Sequence, residues 1–299
     1  MPQLPSLDRF PYSSLRSRPD FDWPDGKRLA VHVSINLEHF VFGEGGVDLD
    51  RPTPAPNHRS YLWREYGNRV GVWRLLDLFD ELEIPIGVIT NTAVYDHCPE
   101  SLAAFSERGD EIIGHGDTNS IKPSEMTEAE ETAMVRSVTD IITRNEGAAP
   151  TGWLSPYVTP SNVTADILKE AGYEYVLDWG LCDDQPFWSR TRSGPILAVP
   201  YPLELNDQPA MVFRRTTAPE FADMMIDQFD ENLKSSAKYP SVCSYSLHHF
   251  IMGQPYRLAH LRRALEHIAK HRDEIWLTTP GKVAAHYMSL PKEKQLPSD

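Results

Sequence analysis

Short apolar runs recur along this chain, and several stop at a knot of polar residues. Residues 29–35 run into Asn36, Glu38 and His39, and 111–114 into His115, Asp117 and Asn119. Residues 173–177 run into Asp178, Asp183 and Asp184; 196–199 lead to Glu204, Asn206 and Asp207; 242–247 run into His248 and His249. Two further strands are expected over 84–90 and 274–279. Between the runs the apolar period changes to that of a helix. Val72, Leu75, Leu76, Phe79 and Leu82 share one face of 71–83. Thr127 and Glu130 form a capping box that opens a helix ending at Gly147. Helices are also expected over 100–107, 162–171, 219–235, 258–271 and 282–288. Strands alternating with helices predict an α/β fold with a parallel sheet. The count suits a (β/α) barrel, incomplete or distorted, with a doubly wound open sheet as the alternative. In a barrel every strand ends on the same face, so polar knots distant in sequence converge there.

At 299 residues the chain is long enough for two domains, but α/β barrels reach this size as one. The expected division is an arm over 1–27, a barrel domain over 28–290 and a tail over 291–299. The arm carries Pro2, Pro5, Pro11, Pro19 and Pro24 and shows no clean period. A second irregular stretch, 43–61, carries Pro52, Pro54 and Pro56 and reads as a functional loop or lid. A net charge of −14 argues against nucleic acid and anionic membrane as partners. No apolar stretch approaches the ~18 residues of a membrane span. The start shows no basic-then-apolar leader, and the three cysteines (Cys98, Cys182, Cys243) make no disulfide framework. A cytoplasmic location is therefore expected. No Gly-x-Gly-x-x-Gly follows a strand, so the dinucleotide fingerprint is missing.

The knots hold the candidate chemistry. Alternation at the end of the first strand puts Asn36 and Glu38 on one side, where a carboxylate and an amide can hold a water and a substrate amide. His115 stands between Gly114 and Gly116, four residues before Asn119. Of His248 and His249, strand alternation lets one face the mouth, and His248 is the choice as an acid or base near neutral pH. Tyr157, Trp179, Asp183, Tyr201, Asn206 and Asp207 supply the flat walls and short polar groups that a small ligand needs.

In order along the chain these motifs resemble the NodB-type polysaccharide deacetylase superfamily, and within it the branch of metal-independent allantoinases and cyclic-imide hydrolases. The resemblance spans about residues 28–285. It rests on Asn36-Leu37-Glu38, on Gly114-His115-Gly116, on Leu154-Ser155-Pro156, on Asp183-Asp184-Gln185-Pro186, on Pro200-Tyr201 with Glu204-x-Asn206-Asp207, and on Leu247-His248 followed by Gly253-Gln254-Pro255-x-Arg257. It implies a distorted (β/α)7 TIM-like barrel and hydrolysis of a non-peptide C–N bond. The metal-dependent sugar deacetylases have two aspartates, a second histidine and an arginine where this chain has Asn36 and Glu38, Asn119, and Leu154. The resemblance thus implies either no cofactor or one weakly held divalent metal such as zinc, on Glu38 and His115 with Asn119 or Asp117.

The expected activity is an amidohydrolase for a small amide, ureide or cyclic imide. Glu38 acts as base or water-orienting carboxylate, His115 orients that water or holds the metal, and His248 protonates the leaving nitrogen. Oxyanion donors are sought among the backbone amides of Ser155–Tyr157. The alternatives are a metal-dependent N-deacetylase of an acetamido sugar, a glycosidase pairing Glu38 with Asp178, Asp183 or Glu204, and a non-catalytic binding protein on a decayed scaffold. By analogy with the branch, a homo-oligomer is expected.

Overall fold

The computed structural model describes residues 7–49 and 54–296. The first residues of the arm, part of the 43–61 stretch and the last three residues of the tail lie outside the described residues. Nine strands are described: β1 (Leu29–Leu37), β2 (Ile86–Thr90), β3 (Glu111–Gly114), β4 (Gly152–Trp153), β5 (Tyr175–Val176), β6 (Phe187–Ser189), β7 (Ile196–Ala198), β8 (Ser241–His248) and β9 (Trp276–Thr278). The α-helices are α1 (His58–Tyr66), α2 (Val72–Glu81), α3 (Val94–His97), α4 (Pro99–Glu107), α5 (Glu128–Glu146), α6 (Thr164–Glu170), α7 (Ala218–Ser236), α8 (His249–Met252), α9 (Pro255–Ala269) and α10 (Pro280–Ser289).

The strands lie in the order β6-β7-β5-β4-β3-β2-β1-β8, with β9 on the β2 side of the start of β1. Every pairing is parallel except β6 with β7. β1 is buried along its whole length, as the run of apolar residues with helices outside requires. The sheet curls into the distorted (β/α)7 barrel without closing by strand pairing. Its open seam is bridged by the Val242 N–H to the Asp184 carbonyl at 2.8 Å and by the Ser246 N–H to the Leu205 carbonyl at 3.1 Å.

Local sequence rules account for most of these elements. Thr127 and Glu130 make the reciprocal cap of α5, and Gly147 ends it with a φ of 78°. The same chemistry, Thr217 with Glu220, opens α7. Other features were not foreseen. α1 begins at His58, inside the stretch read as irregular, with Asn57 accepting from the Ser60 N–H at 3.1 Å. β6 is a short antiparallel addition, and of the run 173–177 only Tyr175–Val176 pairs as a strand.

The described part of the arm packs against the barrel. Phe21 and Trp23 are buried among Ala30, Val242, Val283 and Tyr287, at the end where β1 and β8 begin. The Trp23 indole donates to the Ser241 carbonyl at 3.0 Å. The arm therefore plugs the end opposite the polar knots. Arg9 forks onto Asp166 with both bonds at 2.7 Å, and Arg18 onto Asp183. Among the described residues no helix is long and apolar enough to cross a membrane.

Candidate active site

Strand register assembles the site. Asn36 on β1 lies level with His248 on β8, Leu37 level with Thr90 on β2, and Thr90 level with Gly114 on β3. Glu38, His115 and His248 thus leave three of the four adjacent strands β3-β2-β1-β8 at the same height. They line one cavity of about 180 Å³ together with Asn36, Asn119, Tyr157, Tyr201 and Asn206. Glu38 Oε1 sits between two imidazoles, 3.4 Å from His115 Nε2 and 3.5 Å from His248 Nε2.

Two glycines fit the β3 exit. A side chain at Gly114 would meet the Trp153 ring at 2.8 Å, and Gly116 has a φ of 71° that L residues rarely adopt. His115 Nδ1 faces the Leu154 carbonyl at 2.6 Å. A carbonyl only accepts, so Nδ1 carries the proton and Nε2 is aimed at Glu38. His115 Nε2, Glu38 Oε2 and Asn119 Oδ1 are buried without hydrogen-bond partners. Buried polar atoms left unmade are costly, and three in one cavity mark a place for a guest.

His248 is held from behind by Asp207. Asp207 accepts from the His248 backbone N–H at 2.7 Å and from Nδ1 at 2.6 Å. Nε2 is left to face the cavity. Burial alone would depress the imidazole, but the carboxylates of Glu38 and Asp207 outweigh it and push His248 up to about 10. Burial likewise pushes Glu38 upward, and the His248 charge with the contacts to His115 and His248 reverses this, down to about 2. At neutral pH the cavity therefore holds an ionised carboxylate against a charged imidazolium.

Asn36 donates to Ser246 Oγ at 2.8 Å, and the Tyr201 hydroxyl lies 2.6 Å from the same oxygen. Both are fixed in the cavity wall by that oxygen. Tyr157 also lines the cavity, with a φ of 59°, a conformation that costs on the order of 1 kcal/mol or more and recurs at ligand sites.

Some sequence candidates lie elsewhere. Trp179 packs on Phe10 of the arm, ring centroids 6.3 Å apart. Asp183 is engaged by Arg18 and lines a separate cavity of about 500 Å³, which shares Tyr201 and Leu203 with the first but holds none of Glu38, His115 and His248. Asp207 stands behind His248 rather than on the cavity wall. Asp117 accepts from the Thr92 hydroxyl at 3.0 Å and is not among the cavity residues. His249 points away, with Nδ1 2.9 Å from the Asn36 carbonyl. Of the three amides considered for an oxyanion, Ser155 N–H is taken by Asp178 at 2.9 Å and Pro156 has none, which leaves Tyr157. Glu38 is the one carboxylate among the cavity residues, so the pair a glycosidase needs is not assembled there.

The donor set also bears on metal. Glu38, His115 and Asn119 offer one carboxylate, one imidazole and one amide oxygen, the last a poor zinc ligand. An imidazolium 3.5 Å from the same carboxylate repels a second cation. This set does not fit a firmly held zinc ion.

Comparison with known proteins bears on the same residues. A family model described as polysaccharide deacetylase matches residues 54–176. The fold is similar to that of a probable polysaccharide deacetylase from Pseudomonas aeruginosa PAO1, with a TM-score of 0.80 at 29% identity over 89% of this chain and 92% of that one. PuuE allantoinase gives a TM-score of 0.79 at 28% identity over the same shares. A putative polysaccharide deacetylase of Schizosaccharomyces pombe is 24% identical over 88% of this chain and 91% of its own length. These likenesses support the NodB-type polysaccharide deacetylase superfamily. With it comes the enzyme class, an amidohydrolase acting on C–N bonds.

Proposed function

We propose that the protein hydrolyses a small amide, ureide or cyclic imide without a metal in the hydrolytic centre. The observation that carries this reading is Glu38 Oε1, set within 3.5 Å of both His115 Nε2 and His248 Nε2 in a cavity of about 180 Å³. A water held by Glu38 and His115 attacks the carbonyl carbon, and its proton passes to Glu38. As the tetrahedral intermediate collapses, His248 gives its proton to the leaving nitrogen, because an amide anion is too basic to leave unprotonated. The C–N bond breaks, and acid and amine are the products. The proton on Glu38 then returns to His248 across 3.5 Å, which resets both groups. The His248 charge supplies the electrostatic help that a metal gives in other hydrolases.

The cavity volume supports a compact substrate over a polymer. The family description and the peptidoglycan deacetylase of Helicobacter pylori, 24% identical over 71% of this chain, favour the second reading, an N-deacetylase of an acetamido sugar. One panel separates them: ammonia, amine or carboxylate release from cyclic imides, ureides and N-acetyl sugars. The expected outcome is turnover of a small amide class, lost by orders of magnitude in Glu38→Gln and His248→Ala while both variants stay folded. Deacetylation of N-acetyl sugars alone would replace the first reading with the second. Tight binding of a panel member with no turnover would favour a non-catalytic protein.

A further inference from the structure

A second group of ligating side chains lies just outside the cavity. His39 follows Glu38 beyond β1, Glu65 is on α1 and His97 ends α3. One ligand atom from each lies within 4.8 Å of the other two. None of the three is among the residues that line the Glu38 cavity. His97 Nε2 is 2.9 Å from Glu65 Oε2, and the His39 and His97 rings are tilted at 49° to one another with centroids 4.3 Å apart. His39 Nδ1 is buried without a hydrogen-bond partner. An unmade buried nitrogen of this kind calls for a guest at the site.

Glu65 is also braced from behind. Asn68 donates to its Oε1 at 2.8 Å, and Asn68 Oδ1 lies 2.8 Å from His249 Nε2. His249 in turn faces the Asn36 carbonyl at 2.9 Å. Such outer partners orient carboxylate and imidazole ligands in metal sites.

We propose that His39, Glu65 and His97 form a divalent metal site of the zinc type, separate from the hydrolytic centre. Two imidazoles and one carboxylate are a donor set that zinc accepts readily. Zinc bonds of ~2.0–2.1 Å in a tetrahedral arrangement place ligand atoms about 3.3–3.5 Å apart, so His97 and Glu65 part slightly and His39 draws in. His97 is exposed, which leaves the fourth position open to water. The ion ties the β1 exit, α1 and α3, three segments distant in sequence, and so acts as a clamp on the folded state.

The test uses the full chain, stripped with chelator and titrated with zinc chloride by calorimetry and by thermal melting. Wild type is expected to bind zinc at one equivalent and to melt higher in its presence. His97→Ala and Glu65→Gln are each expected to bind zinc about a hundredfold more weakly or worse, as loss of a direct ligand exceeds loss of an outer partner. His115→Ala is expected to keep the wild-type affinity. The proposal is overturned if wild type binds no zinc at submillimolar concentration. It is also overturned if either ligand variant keeps full affinity, or if His115→Ala loses it, which would move the ion to the hydrolytic centre.

Discussion

The Asp207–His248 contact makes a sharp prediction for Asp207→Asn. Asp207 accepts two hydrogen bonds from His248, at 2.7 Å from the backbone and 2.6 Å from Nδ1. The substitution keeps the shape and removes the charge. A charge-assisted hydrogen bond contributes about 1.5–3 kcal/mol, and one pKa unit is about 1.36 kcal/mol. Loss of that share lowers the His248 imidazolium by roughly one to two units. Wild-type His248 sits at about 10. The alkaline limb of kcat/KM, which reports the acid in the free enzyme, should therefore move from near 10 down to roughly 8–9. The assay is the pH–rate profile of folded variant and wild type on whichever amide the panel identifies, with folding checked by near-ultraviolet circular dichroism. A variant that loses activity with its alkaline limb unmoved would refute the reasoning, because Asp207 would then be shaping the loop and not holding the acid.

Trp23→Ala opens the plug at the far end of the barrel and removes the bond to the Ser241 carbonyl. A loss of about 3–5 kcal/mol in chemical denaturation is expected, with activity per folded molecule retained; a loss below about 1 kcal/mol would mean the arm merely drapes there. Chelation should leave turnover near its starting level in wild type and in His97→Ala. Zinc-dependent turnover that survives His97→Ala would place a metal at Glu38 and His115, against the donor-set argument. Stability should fall early on the acid side. His32 and His249 are wholly buried and burial lowers each to about 4, so the unfolded chain binds more protons below 6.5. Their contribution is complete above 6.5 and is lost as pH falls from 6.5 to 4. On the alkaline side, raised His248 contributes stability present below 6.5 and lost as pH rises toward 10. A melting temperature flat between pH 4 and 6.5 would contradict the acid limb.

What could be read from the sequence, and what could not, follows from the range of each interaction. The α5 cap is a contact over three residues, so Thr127 and Glu130 announce it. The polar ends of β1, β3 and β8 were legible because a parallel strand delivers its C-terminal residues to one face whatever its register. The partner of His248 was not legible. Asp207 reaches it only because the Leu205 carbonyl and Asn206 pair across the open seam with Ser246, a register no local pattern encodes. Trp179 and Asp183 carry the residue types of a binding wall, but Phe10 and Arg18 of the arm occupy them. The arm's own pattern has no period, so nothing in it announces that Phe21 and Trp23 pack into the far end of the barrel.

The same logic separates the two histidine clusters. Glu38 and His39 are consecutive, yet one faces a carboxylate-and-imidazolium cavity and the other a carboxylate on α1. The pleat of the strand end sends neighbours to opposite sides. The shared backbone means that whatever holds His39 also limits how far Glu38 can move. On the proposed reading Glu38 works from between two imidazoles, at 3.4 and 3.5 Å. On the proposed readings, the charge for the reaction comes from His248, and the metal held by His39, Glu65 and His97 clamps the fold without being needed for turnover.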